Sequence, residues 1–272
     1  MLASLTGRRG GLFVLCLVTA LLLGCATSPT GRRTIILHSG PEMAAMGVAA
    51  FTQMRGELPR STNASQRALV QCVADAMTGV LTPQDLGVVV VESWEVELFE
   101  DDSANAFALP GGKMGVYTGL LNVARSPSQL AAVMGHEVGH VLARHGNERM
   151  SGQMVTQMGM GALTILAGES SPEQEQLLGL LGVGTELGLK KFSRIHESEA
   201  DEIGLVLMAR AGFDPTEAVV LWQNMSASSG GPAPPEFMST HPSNMTRIAD
   251  LRAAMPAALA VYRPSGPGSR CR

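Results

Sequence analysis

The residues with the clearest capacity for chemistry are His136, Glu137 and His140, in the run His136-Glu137-Val138-Gly139-His140. This is the pattern H-E-x-x-H. On a helix, positions i and i+4 share a face, with Cβ atoms about 5–6 Å apart. Two imidazoles at that spacing can reach one zinc ion at about 2.0–2.1 Å. Glu137 lies one residue on, about 100° round the helix. It can accept a proton from zinc-bound water without being a ligand.

A catalytic zinc needs a third protein ligand and an open position. The stretch FSRIHESEAD, from Phe192 to Asp201, offers Glu197 as that ligand. Asp201, four residues on, can hydrogen-bond the far nitrogen of a ligand histidine and fix its tautomer. His196 stays open as an alternative ligand, because imidazole is common on zinc. Glu199 is rotated about 200° from Glu197 and is expected to point elsewhere. His145, nine residues past His136, falls on roughly the opposite helix face and reads as structural or surface.

Behind these residues stand the elements that must position them. Ser126, Pro127 and Gln129 form a helix start, with Ser at N-cap, Pro at N1 and Gln at N3. Leu130, Val133, Met134, Glu137, Val141 and Leu142 follow helical spacing, and Gly146 is a natural terminator. Residues 193–210 read as another helix, stopped by Gly212, and Asp214 to Glu217 open the next with an Asp N-cap. Residues 41–81 carry helical spacing, with Met54, Leu69, Val70, Val73 and Met77 as candidate core. Residues 86–100 read as strand, led by the β-branched run Val88 to Val91. Pro110-Gly111-Gly112 is a turn between two short strands. Two apolar helices are expected at about 154–168 and 176–190, each too short to span a bilayer comfortably. Residues 226–238 read as a Ser/Gly/Pro loop, 243–255 as a last helix, and 263–272 as a disordered tail. Helices dominate over a few strands, so the fold class is α+β.

The ends of the chain bear on where it works. Arg8 and Arg9 precede the apolar run Leu12 to Leu23, which as a helix would cover only about 18 Å. Residues 1–24 therefore read as a signal peptide. Leu22-Leu23-Gly24-Cys25 resembles a bacterial lipobox, which implies a lipid anchor on Cys25 and residues 25–40 as a lipidated tether. Ala26 after the cysteine implies the outer membrane. Loss of the signal leaves 18 basic residues against 24 acidic ones. A mildly acidic chain with no basic tract argues against nucleic acid as partner. Cys72 and Cys271 then remain as an even pair in an oxidising compartment, open either to a disulfide or to two separate thiols.

Several runs together carry a wider resemblance: TGRRTIIL, NAFALPGG with its following GLL, HEVGH with VLARH, FSRIHESEAD and STHPSNMTRI. They stretch from about residue 30 to 248. The chain resembles the HtpX/CAAX prenyl protease family of zinc metallopeptidases, and within it the soluble periplasmic lipoprotein branch related to mitochondrial Oma-type peptidases. The resemblance implies a mainly helical gluzincin-type metallopeptidase domain over residues 41–255, with a small sheet whose edge strand flanks the active-site cleft, and a C-terminal tail over 256–272. It implies one zinc ion on His136, His140 and Glu197, with Glu137 as general base and Asp201 behind the ligands. It adds His241, in STHP, as a catalytic group that stabilises the oxyanion or occupies the zinc in a closed state. Arg247 would support substrate or His241. Asn105 and the strand from Ala106 would bind peptide backbone as an added strand. The implied activity is endopeptidase cleavage of misfolded or membrane-associated envelope proteins in the periplasm. The competing reading is an outer-membrane protein assembly chaperone with latent protease activity.

Overall fold

A computed structural model describes residues 25–167, 193–228, 237, 241 and 245–272. The expected helix at 176–190 and most of the loop at 226–238 lie outside the described residues.

The chain divides into two units. In the smaller, β1 (Cys25–Thr27) pairs antiparallel with β2 (Arg33–Ile35), Cys25 opposite Ile35. The segment expected as a tether, residues 25–40, thus contains a hairpin. Its turn closes through the Ser28 carbonyl and hydroxyl, which accept from the Gly31 and Arg32 amides. The Arg32 guanidinium grips Glu148 through two bonds of 2.7 and 2.6 Å, and the Leu37 amide donates to Ser151.

The larger unit holds residues 40–146 and 185–272. Its first helices are α1 (Gly40–Glu57) and α2 (Ala64–Thr78). Asn63 caps α2 by accepting from the Gln66 amide. Val70, Val73 and Met77 are buried as their spacing predicts, whereas Met54 is only half-buried and Phe51 takes the core position. The short helix α3 (Pro83–Leu86) carries a capping box on Thr82 and Asp85.

The strand expected over 86–100 is confined to β3 (Glu95–Phe99). Val88 and Val90 are exposed, and a β-branched run becomes strand only where it packs on a half-buried surface. Next come β4 (Ala106–Leu109) and β5 (Lys113–Tyr117). The sheet order is β3-β5-β4, with β5 parallel to β3 and antiparallel to β4. This leaves β4 at an edge. The Pro110 turn between them uses Gly111 and Gly112 at φ 84° and 78°, a conformation open to glycine at little cost.

The central helix α4 (Pro127–Leu142) starts as its sequence indicates, the Ser126 hydroxyl accepting from the Gln129 amide. Glu217 then accepts from both the Ser126 hydroxyl and the Gln129 side chain. The helix does not run on to Gly146. Ala143 caps it, Arg144 turns left-handed at φ 60°, and α5 (His145–Ala167) begins at once.

After α5 come α6 (Arg194–Ala211), α7 (Glu217–Ser228) and α8 (Met245–Val261). Ser193 caps α6 and Gly212 ends it, as expected. Asp214 serves as a turn before α7, accepting from the Thr216 amide and hydroxyl. The last helix runs six residues beyond its expected end at 255. Nor is the tail disordered. Cys271 is buried and bridged to Cys72, 199 residues away, and Gly268 sits against the Phe213 ring. A tail with little apolar content is ordered here by a covalent tie that spacing alone could not assign.

Candidate metal centre

The site is made by α4 crossing α6 at backbone contact. A Cβ on Gly204 would lie 2.7 Å from the Gly135 carbonyl carbon and the His136 nitrogen. One on Gly139 would lie 2.7 Å from the Ala200 oxygen. Such distances exclude any side chain. The close crossing brings His136 and His140 of α4 against Glu197 and Asp201 of α6, all 3–6% exposed.

One donor atom each from His136, His140, Glu197 and His241 lies within 4.8 Å of the others. His136 Nε2 is 3.0 Å from His140 Nε2 and 3.2 Å from His241 Nδ1. Glu197 Oε1 is 3.1 Å from His241 Nδ1 and 3.5 Å from His140 Nε2. Three imidazole nitrogens and one carboxylate at this spacing, with no thiolate, fit zinc. His196 is not in this group. It stacks on His145, with ring centroids 4.4 Å apart.

The outer atoms are held as well. His136 Nδ1 is 2.8 Å from Asp201 Oδ1. Arg247 donates to both Asp201 oxygens at 2.6 and 2.8 Å and to Glu197 Oε2 at 2.6 Å. Its guanidinium lies 3.6 Å over the Trp222 ring, a favourable cation–π position. Arg247, expected to support substrate or His241, is buried here with its guanidinium bonded to both acids.

Electrostatics follow from that packing. Burial and Arg247 press the His136 imidazole down, but Asp201 and Glu197 outweigh them and raise it to about 9. Burial drives His140 well below the ordinary imidazole value. Burial works against the Glu197 carboxylate, yet hydrogen bonds from His136, His140 and His241 hold it far below the usual carboxylate range. Asp201 is likewise lowered, its burial outweighed by Arg247 and His136.

Glu137 differs from both acids. Burial pushes its carboxyl up. His241, His136 and the Ala108 backbone of β4 pull against that rise, while its Oε1 is buried with no hydrogen-bond partner among the described residues and lies 3.5 Å from His241 Nε2. A buried, unsatisfied carboxylate oxygen beside a cluster of metal donors is what a water-activating base requires.

Asn105 and Ala106 are both buried. The Asn105 side chain accepts from the Ala106 amide, and its carbonyl accepts from Tyr117. Two features escaped the sequence reading. Phe237, fully buried, stacks on His241 at 4.5 Å, and its amide donates to the Ala104 carbonyl just before β4. His145 is also fully buried, 2.8 Å from His140 Nδ1 and 3.0 Å from Glu199. The left-handed turn at Arg144 is what brings His145 back, and no glycine or asparagine marks it.

Comparison with known proteins accords with this geometry. Residues 64–255 match Peptidase family M48. The mitochondrial metalloendopeptidase OMA1 of Schizosaccharomyces pombe is 40% identical over 168 residues, 61% of this chain and 48% of that one. The Danio rerio metalloendopeptidase OMA1 is 30% identical over 245 residues, 85% of this chain and 50% of its own. The beta-barrel assembly-enhancing protease of Escherichia coli is 36% identical over 161 residues, 57% of this chain and 33% of that protein. The chain thus spans about half or less of the length of these relatives. With more than half of its residues matched, and the two histidines and the glutamate brought together by the fold, the chain belongs to peptidase family M48.

Proposed function

We propose that this protein is a zinc-dependent endopeptidase of the bacterial cell envelope that hydrolyses peptide bonds in misfolded or membrane-associated proteins. The observation that carries the reading is the unsatisfied Glu137 Oε1 beside the His136, His140 and Glu197 donors. Bound zinc would polarise the scissile carbonyl and lower the pKa of water toward about 7. Glu137 takes the proton from the attacking water and delivers it to the amine nitrogen as the C–N bond breaks. Its raised pKa suits it to both halves of that task. Glu197 is kept ionised by its imidazole neighbours, and Asp201 holds the His136 tautomer. His241, moved off the donor cluster, would hold the oxyanion. The edge strand β4, with Asn105 and Ala106 at its start, would pair with substrate backbone.

The test is Glu137→Gln. The variant should bind zinc like the wild type and lose cleavage of an unfolded envelope protein. Retained cleavage would overturn the assignment. A second reading, an outer-membrane protein assembly chaperone with latent protease activity, is favoured by the closed site, where His241 completes the donor set and Phe237 stacks on it. Suppression of outer-membrane protein aggregation that persists in Glu137→Gln would support it.

Placement in the periplasm on a Cys25 lipid anchor rests on the signal and lipobox pattern. No described helix is long and apolar enough to cross a membrane. Mass spectrometry of the mature N-terminus checks the anchor, and an unmodified Cys25 would refute it.

A further inference from the structure

We infer that His145 and Glu199 are positioning residues for the metal ligand His140, through a directed hydrogen-bond chain running from Glu199 through His145 to His140. The inference rests on the metal centre and is independent of the substrate reading.

The two ligand histidines are supported differently. His136 turns Nε2 to the donor cluster and Nδ1 directly to a carboxylate, Asp201, at 2.8 Å. His140 also turns Nε2 to the cluster, but its Nδ1 meets a second imidazole, His145 Nδ1, at 2.8 Å. His145 Nε2 in turn lies 3.0 Å from Glu199 Oε2. Two imidazole nitrogens at 2.8 Å need one donor and one acceptor. If Nε2 of His140 holds metal, its Nδ1 must carry the proton and donate. His145 Nδ1 is then the acceptor, its proton sits on Nε2, and Nε2 donates to the Glu199 carboxylate. The 2.8 and 3.0 Å separations fit this arrangement. It delivers carboxylate support to His140 through one intervening ring, where His136 receives it directly. Such outer partners fix the ring plane and raise the basicity of the ligand.

The surroundings fit a built device. His145 is 0% and Glu199 5% exposed. The His196 ring stacks on His145 with 28° between planes, holding its orientation. Arg144, at φ 60°, adopts a left-handed conformation unfavourable for a side chain of its size. Strain of this kind persists where the surroundings demand it, and here it aims His145 back at His140.

Zinc affinity, measured by competition with a chromogenic chelator, tests the chain of bonds. His145→Leu should bind zinc about 10–100-fold more weakly than wild type, the usual effect of losing an outer partner. His145→Asn places an amide oxygen near the lost Nδ1 and should recover most of that loss, which a purely space-filling role would not predict. Glu199→Gln keeps an acceptor without the charge and should fall between. Unchanged affinity in His145→Leu, or equal losses in His145→Leu and His145→Asn, would overturn the inference. Imidazole ¹⁵N NMR of the zinc-loaded wild type keeps the test open even if the variants fold poorly. A proton on His145 Nε2 alone is expected; a proton on Nδ1 overturns the chain. A wild-type protein that binds no zinc would refute the metal centre itself, whereas a zinc-binding wild type with His145→Leu unchanged refutes the positioning role alone.

Discussion

The donors of the site come from two parts of the chain. His136, His140 and Glu197 stand on α4 and α6, helices pressed together where Gly135, Gly139 and Gly204 allow backbone contact. His241 stands on the chain between α7 and α8. It is held by its amide bond to the Phe237 carbonyl at 2.8 Å, by the Phe237 amide bond to Ala104 at 3.1 Å and by a stacked ring. To move a helix-borne donor, two helices must part. His241 is joined to that pair through its side chain, with Nδ1 3.1 Å from Glu197 Oε1 and 3.2 Å from His136 Nε2. A catalytic zinc needs three fixed protein ligands and one position that exchanges. We predict that His136, His140 and Glu197 take the fixed part and His241 the exchanging one.

The strongest way to break this contrast is at Arg247. Its guanidinium is buried between Glu197 and Asp201. Arg247→Met leaves two buried carboxylates without their cation, a loss of about 3–5 kcal/mol for a broken buried pair. Zinc restores positive charge beside Glu197, so the loss should be smaller in zinc-loaded protein than in metal-free protein. Urea unfolding with and without zinc measures the difference, and equal losses would remove Arg247 from the charge balance of the site. Next in size is Gly204→Ala. Its new Cβ meets backbone, which cannot yield as a side chain would. Overpacking of this kind costs about 1–3 kcal/mol, and zinc affinity should fall with stability because the helices separate. Normal zinc binding in a destabilised Gly204→Ala would mean that the crossing does not set donor spacing.

How far the site could be read in advance follows the same division. The cap at Ser126, the spacing along α4 and the pair Glu197 and Asp201 are local patterns of one helix each, and each is visible in sequence. His145 is not, because its placement depends on where α4 stops. Counting 100° per residue past Leu142 sends it to the far face; the turn at Arg144 returns it. Gly146, the obvious terminator, is already inside the next helix. The glycine at 204 carries no local signal either, since its reason is Gly135 across the crossing. Cys271 and the ordered tail depend on Cys72, 199 residues away. What sequence conveys well is periodicity; what it conveys poorly is contact between distant segments.

His241→Ala tests the exchangeable side. With three helix-borne donors left, zinc affinity should fall by no more than about tenfold, near 1.4 kcal/mol. His136→Ala, which removes a fixed donor, should fall much further. Equal losses by chelator competition would end the distinction between the donors on α4 and α6 and His241.

The smallest effect is expected at the far end of α6, where Arg210 grips Asp85 through bonds of 2.9 and 3.0 Å. Burial pushes the Asp85 carboxyl up, but bonds from Arg210 and Thr82 outweigh it and lower it from 3.8 to about 2. A folded value below the unfolded one means the pair stabilises the fold fully above pH about 4 and loses that contribution as pH falls toward 2. The pair is partly solvated, so its contribution is about 1 kcal/mol. Asp85→Asn should therefore cost about that much at pH 7, and its deficit against wild type should shrink below pH 4. Urea unfolding across that range reads both. A deficit that persists undiminished at low pH would assign the effect to packing, not to the ion pair. Zinc affinity at pH 7 should not change, because the donors are spaced by the glycine crossing and not by the brace at the end of the helix. A fall in zinc affinity would show that α6 transmits its end position to Glu197, and the fixed half of the site would then extend the whole length of that helix.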